Sequence, residues 1–465
     1  MAHVNRSSGR ATPKISLCMI VRDEEKMLGA CLESVRGLAD EMIVLDTGSR
    51  DATARIAQDH GARVYDFVWC DDFAAARNAA LDHAEGDWIL QLDADERLTP
   101  RSGSRIRHAV ANANFDCGMI RIHDALSADA SFDEVLSGAR RLANAQLVAR
   151  LLRRTGDLRY VDAIHENVLP WIRKRGSRLS GIDADIIHLG ATQEILSEKN
   201  KIERNVRLLR SRLEREPTDL VAYGYLSHEH LRGGDRQAAF EVMERGWAHA
   251  GTAVERKVSI HRLAVARAYL LIPIGRFAEV REALALAQNI DGENPDFTYL
   301  EGYSWEVEAR YRTGEVRTKA LVTARDAYRH CLTYADRVFA SAFIRAGSTW
   351  SAEIRLGTME LLLGNAGQAL EAFESALAQR GDEREAQLGR AEALIALGDP
   401  ARALRLIESI LGRSPDAWTL AAVAVDALGR REDCSLFARK ARSLAREGFI
   451  APHRRERLVH VVGHP

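Results

Sequence analysis

Asp93, Asp95 and Glu96 place three carboxylates within four residues, directly after the strand-like apolar run Trp88-Ile89-Leu90-Gln91-Leu92. Only the small Ala94 separates Asp93 from Asp95. In an open α/β sheet, ligands bind beyond the carboxyl ends of the strands. Two carboxylates there can hold a divalent cation, and the cation can hold a diphosphate. Acidic residues also follow strands because turns are polar, so the meaning of the pair depends on the elements around it.

Those elements alternate. Residues 15–21 read as a buried strand, followed by Asp23-Glu24-Glu25 and a helix with Met27, Leu28, Cys31, Leu32 and Val35 on one face. Asp23 is the expected N-cap of that helix. A second strand, 42–46, ends in Asp46-Thr47-Gly48-Ser49-Arg50-Asp51-Ala52-Thr53, a turn that opens another helix. A third, 63–68, leads into Asp71-Asp72-Phe73 and an alanine-rich helix carrying Arg77 and Asn78. The opening stretch is the fourth strand. Four strand–helix alternations predict a mostly parallel, doubly wound α/β sheet. Asp23, Asp46, Asp71 and Asp93 then share one edge of it.

The chain has 465 residues, room for roughly two to four domains. Lys and Arg number 65 against 66 for Asp and Glu, so no global charge draws it to nucleic acid. The six cysteines form no CxxC pair, which speaks against a disulfide framework or a zinc module and for a reducing cytosol. The polar stretch 1–13 is expected to be disordered, and no apolar run nears the roughly 18 residues of a membrane span. A cytoplasmic protein is the expectation.

Four stretches occur in order: Ser16 to Glu25, Asp40 to Thr53, Asp71 to Asn78 and Asp87 to Glu96. Together they resemble a family 2 glycosyltransferase with a GT-A fold. Within that family they are similar to the branch with C-terminal tetratricopeptide repeats, which includes peptide S-glycosyltransferases and cell-envelope sugar transferases. The resemblance is close over roughly residues 14–215. It implies that Asp93 and Asp95 bind Mn2+ or Mg2+ with the donor diphosphate, and that Asp46 contacts the uridine of a nucleotide sugar. It implies donor contacts for Val21, Asp23, Glu25, Gly48, Ser49, Asp71, Asp72, Arg77, Asn78 and Asp93. The chain departs from the family at Asp23, where relatives have Asn.

After Pro100 a helix over 105–110 and strands over 117–122 and 147–153 are expected. The polar segment 125–138 between them reads as a loop over the site. Inverting transfer needs a base to take the acceptor's proton. The pair His165-Glu166 resembles the family's HE element, with Glu166 the candidate base and His165 the runner-up; both also have ordinary structural uses. Residues 182–188 read as a strand ending in His188, which by the resemblance completes the metal site; an imidazole suits Mn2+ beside two carboxylates. The family's aromatic after this histidine is replaced by Ala191.

From residue 192 the periodicity turns helical. The domain reading is a GT-A domain at 14–190, a connecting helix at 191–216 ending before Pro217, helical repeats at 217–450 and a tail at 451–465. Leu363-Gly364, Ala369-Leu370, Phe373 and Leu377 recur as Leu397-Gly398, Ala403-Leu404, Ile407 and Leu411, each 34 residues on, the tetratricopeptide period. About six helical pairs are expected. Such arrays bind extended peptides or self-associate. Tyr223, Tyr225, Trp305, Tyr311 and Trp350 read mainly as inter-helix packing.

The expected function is metal-dependent, inverting transfer of a sugar from a nucleoside diphosphate sugar, UDP-linked, to a protein or peptide acceptor presented by the repeats. A lipid- or polysaccharide-linked saccharide is the alternative acceptor. A non-enzymatic repeat scaffold on a degenerate transferase domain is the alternative of another class.

Overall fold

The computed structural model describes residues 12–141, 145–190, 199–256, 258–335, 337, 339, 344, 347–412, 414–445, 451 and 453–454. The chain forms two compact units, residues 1–252 with 338–342, and residues 253–337 with 343–465.

The first unit is built on an eight-stranded sheet: β1 (Ile15–Val21), β2 (Glu41–Asp46), β3 (Arg63–Asp66), β4 (Trp88–Gln91), β5 (Glu96–Leu98), β6 (Cys117–Asp124), β7 (Gln146–Arg153) and β8 (Leu179–His188). Their order is β3-β2-β1-β4-β7-β6-β8-β5. The first four pair in parallel, as do β6 and β8; β7 runs antiparallel to β4 and β6, and β5 to β8. Helices α1 (Leu28–Ser34), α2 (Thr53–Asp59) and α3 (Phe73–Asp82) are the crossovers between the parallel strands; α4 (Ser102–Ala111), α5 (Phe132–Leu136) and α6 (Leu169–Arg175) follow.

Both faces of the sheet are covered at β1 and β4, which is why these two strands read as apolar runs. Ile15, Leu17, Met19 and Val21 of β1 pack with Leu28, Cys31 and Leu32 of α1 and Ile106 and Val110 of α4. Cys18, on the opposite face, packs with Ala76, Ala80 and Leu81 of α3 and Trp171 of α6. The split follows the period-2 alternation of a strand. Parallel pairing sets Val21 directly beside Asp46, so the acidic strand ends do share an edge.

Two local expectations are corrected. Asp23 caps no helix: α1 starts at Leu28 after Met27, with no side-chain cap. Asp23 is instead left-handed, with φ 54°. Its Oδ1 accepts from the Arg50 N–H at 2.8 Å and its own N–H donates to Ser49 Oγ at 3.0 Å, so it ties the β1 turn to the β2 turn. Segment 125–138 is not all loop. Ser131 and Glu134 form a reciprocal capping box that starts α5.

Past the sheet, the same unit includes α7 (Lys199–Arg215), α8 (Leu220–Arg232) and α9 (Arg236–Trp247). Ala191 and the start of the connecting helix lie outside the described residues, as do residues 1–11 and most of 446–465. In the second unit, α10 (Ala253–Arg256) precedes the pairs α11 (His261–Leu271) and α12 (Phe277–Asp291), α13 (Pro295–Ala309) and α14 (Gly314–Leu332), α15 (Trp350–Leu362) and α16 (Ala366–Gln379), α17 (Arg384–Ala396) and α18 (Pro400–Glu408), α19 (Pro415–Ala427) and α20 (Arg431–Ala445). Gly364 and Gly398 make equivalent turns at φ 85° and 83°, a region that favours glycine. A Cβ on Gly357 of α15 would come within 2.9 Å of the Phe373 ring, so small residues let neighbouring helices close on that phenylalanine. Among the described residues, all six cysteines are free and no helix is long and apolar enough to cross a membrane.

Candidate active site

The fully buried β4 delivers Asp93 to the edge of the sheet, where a tight turn follows: Glu96 N–H donates to Asp93 O and Asp93 N–H to Glu96 Oε2, both at 3.0 Å. Two buried guanidiniums meet the Asp93 carboxylate, Arg77 Nη2 at 2.9 Å on Oδ1 and Arg150 Nη2 at 3.1 Å on Oδ2. Burial alone would raise the Asp93 pKa; the two arginines outweigh it and hold the carboxyl well below the usual range. Arg150 also pairs with Glu96, and Arg77 Nε with Glu166 Oε1 at 2.5 Å. Arg77 therefore joins three stretches far apart in sequence: α3, the end of β4 and the loop after β7. With its amide oxygen toward the arginines, Gln91 accepts from Arg77 Nη1 at 2.9 Å.

Asp95 stands in a different environment. Its Oδ2 lies 3.4 Å from His188 Nε2, while His188 Nδ1 is 2.7 Å from Asp124 Oδ1 at the end of β6. Antiparallel pairing of β5 with β8 sets Glu96 opposite His188 and so brings Asp95 and His188 together. Burial would lower the histidine's pKa, but hydrogen bonds to Asp124 and Asp95 raise it well above its ordinary value. Gly190 closes the site: a Cβ there would collide with the Asp95 carboxylate and come within 2.8 Å of His188 Nε2. Glu24 faces the same corner. Burial, then the charge of Asp95 and more weakly of Asp93 and Asp51, pushes it up to about 7 against the pull of Lys201.

Asp95 and His188 are the residues that could hold a divalent cation. A carboxylate oxygen and an imidazole nitrogen converge, and Asp124 orients the imidazole through its other nitrogen in the manner of outer-shell carboxylates. No group of three His, Cys, Asp or Glu ligands is assembled among the described residues. Two protein ligands would leave coordination positions for phosphate oxygens and water.

The other expected donor residues form a hydrogen-bonded rim along the ends of β1 and β2. Val21 O accepts from both the N–H and the hydroxyl of Thr47 at 3.0 Å. Asp46 Oδ1 accepts from the N–H groups of Gly48 and Ser49 at 3.0 and 2.8 Å, with Gly48 at φ 102°. Glu25 Oε2 accepts from the Ala52 N–H at 3.2 Å. Asp72 caps α3 through the Ala75 N–H. Two residues are engaged elsewhere in the fold: Asp71 takes a two-pronged ion pair from Arg207 of α7, and Asn78 makes two hydrogen bonds to the Tyr160 backbone.

Glu166 lies in a narrow loop closed by mutual N–H···O bonds between Val161 and Asn167. Asp162 and His165 in this loop have φ 74° and 56°; with Asp23 and Asp71 they are the four left-handed non-glycine residues among those described. Such conformations cost energy and persist where surroundings impose them. Here the helices impose them. Arg212 of α7 bonds Asp162 at 3.2 Å and the Ile164 carbonyl at 3.4 Å, and Tyr225 of α8 stacks on His165 at 3.4 Å between ring centroids. Glu166 thus joins the Arg77–Asp93 cluster while His165 is held against a helix.

Sequence reasoning missed Arg150, Asp124, Glu24, Arg212 and Tyr225. Two of these had a signal. Asp124 is another acid at a strand end, and Arg150 is a lone cation between apolar neighbours in Leu147-Val148-Ala149-Arg150-Leu151-Leu152.

Residues 16–128 match the family model Glycosyl transferase family 2, and residues 360–425 that of a tetratricopeptide repeat. A TPR repeat-containing protein of Synechococcus elongatus is 34% identical over 244 residues, 51% of this chain and 57% of that protein. The SPbeta prophage-derived glycosyltransferase SunS of Bacillus subtilis is 26% identical over 234 residues, 49% of this chain and 52% of that one. The chain spans about half the length of these curated relatives. Among solved structures, glucosyl-3-phosphoglycerate synthase from Mycobacterium tuberculosis in complex with Mn2+, uridine diphosphate and glucosyl-3-phosphoglycerate covers 24% of this chain and 44% of its own, at 23% identity and a TM-score of 0.21. The chain carries a family 2 glycosyl transferase domain, followed by tetratricopeptide repeats.

Proposed function

We propose that the chain is a metal-dependent, inverting glycosyltransferase that takes a sugar from a UDP-linked donor and passes it to a protein or peptide acceptor. The observation that supports this most is the division of labour across Asp93-Ala94-Asp95. Asp93 is neutralised by Arg77 and Arg150, while Asp95 faces the Nε2 of a histidine oriented by Asp124. Asp95 and His188 would hold the cation. When bound, a divalent cation there neutralises charge on the departing diphosphate.

The remaining roles fall to the chain's own groups. The Asp46–Ser49 turn receives the nucleoside, with the Asp23 and Glu25 turn closing beside it. Asp93, fixed by two guanidiniums, is a rigid acceptor for donor hydroxyls. An acceptor hydroxyl or thiol attacks the anomeric carbon from the face opposite the diphosphate. The new bond forms as the bond to the diphosphate oxygen breaks, and Glu166 takes the acceptor's proton through Oε2 while Arg77 holds Oε1. A thiol acceptor, of unperturbed pKa about 8.5, needs less help from a base than a hydroxyl does.

A panel of nucleotide sugars with Mn2+ or Mg2+ tests the reading. UDP release and protection against thermal unfolding by UDP plus metal are expected; release that is unaffected by chelation contradicts it.

A further inference from the structure

The second unit holds a short piece of the chain inside its own repeats. Arg454 is only 1% exposed, and three carboxylates surround it. Its Nη2 and Nη1 reach the two oxygens of Glu385 at 2.6 and 3.2 Å, its Nε reaches Glu392 Oε2 at 3.1 Å, and its Nη1 lies 3.7 Å from Asp416 Oδ1. The backbone is gripped as well: the Ala451 N–H donates to Asp416 Oδ1 at 3.0 Å, and His453 Nε2 is 3.4 Å from Glu392 Oε2. Glu385 and Glu392 lie two turns apart on α17, and Asp416 lies in the first turn of α19. The first helices of two successive repeats thus read one guanidinium.

A guanidinium leaves water at a high cost unless planar, two-pronged carboxylates receive it. This pocket supplies that geometry on rigid helices, together with a hydrogen bond to the main chain of the docked segment. The segment does not fill the groove. A cavity of about 600 Å³ continues beside it, lined by Glu306, Arg310, Trp350 and Arg355 and by Ala451 and His453 of the segment itself. That volume is in the range of ligand sites. The docked residues form a helical turn, in which the Arg454 N–H donates to the Ala451 carbonyl at 3.0 Å.

We propose that this groove is a receptor for an arginine-bearing peptide that enters it as a turn, and that Ala451, His453 and Arg454 occupy it in cis. Any such partner must displace the chain's own segment, so occupancy of the groove is self-limited. The inference stands whether or not the first unit transfers sugar.

A fluorescent peptide copying residues 448–458 is titrated into the full chain and into a full-chain Arg454→Ala/Arg455→Ala variant, the second change keeping the adjacent arginine from entering the pocket. The variant is expected to bind the peptide about tenfold or more tightly than the unaltered chain, since only the open fraction is competent to bind. A peptide with the same two arginines changed to alanine should not bind, and adding Glu385→Gln and Glu392→Gln to the variant should abolish binding. Should the alanine variant fail to fold with its carboxylates left bare, Arg454→Lys keeps the charge without the fork and is expected to shift binding in the same direction. Equal binding by the unaltered and variant chains, no binding to either, or binding indifferent to the peptide's arginines overturns the proposal and leaves the segment a fixed plug.

Discussion

At the residue scale, the pair Asp93 and Asp95 stands out in the sequence as a candidate site, but the difference between its two members does not. Nothing local tells which of two acids one residue apart meets buried arginines. That depends on Arg77 from α3 and Arg150 from β7, brought in by strand pairing. The difference has measurable consequences. Arg150→Ala leaves Glu96 and part of Asp93 without a counter-charge in a buried setting, and is expected to cost about 3–5 kcal/mol in denaturant melts. Asp124→Asn, which removes the group orienting His188, is expected to weaken cation-dependent protection of the protein–UDP mixture by about 10–100-fold in metal concentration. Gly190→Ala introduces a Cβ where Asp95 and His188 stand, and should abolish that protection while the metal-free melting curve moves little.

At the element scale, the strands and crossovers of the parallel half could be read because period-2 burial and Gly- or Asp-rich turns repeat in order. The errors came where local chemistry is decided by distant partners. Asp23 looks like a helix cap from its neighbours, but the turn after β2 offers it the Arg50 N–H instead. The start of α5 is encoded by the capping box Ser131-Phe132-Asp133-Glu134, inside a segment whose composition otherwise reads as loop. The pairing of β6 with β8 supplies a pH test. Burial alone would raise the Asp185 pKa, but hydrogen bonds from His123 and Arg121 hold it below its ordinary 3.8. A lowered folded-state pKa gives stability that is present above the unfolded value and lost as pH falls through the folded one. Asp185→Asn should therefore cost about 2 kcal/mol at pH 7, and the gap to the unaltered chain should close in acid; a gap that stays constant from pH 7 to pH 2 contradicts this account.

At the scale of the whole molecule, the repeat period is visible in the sequence at 34 residues. The first compact unit runs through residue 252, and within it α7 and α8 hold the loop that carries Glu166. The exposed Arg207–Asp71 pair contributes little to this, because solvent screens it. Arg212, 13% exposed and shared by Asp162 and Asp219, and the Tyr225–His165 stack contribute more. A chain cut after residue 252 should accordingly keep a cooperative melt, and one cut after residue 190 should lose it.

The most direct test of the central claim is UDP release from the active nucleotide sugar as Mn2+ is titrated, for the unaltered chain and for Asp95→Asn and His188→Ala. Removing either group from the proposed cation site is expected to lower turnover at saturating donor by about 100-fold or more, with folding retained by circular dichroism. Turnover in Asp95→Asn equal to that of the unaltered chain, at the same metal concentration, would contradict the account.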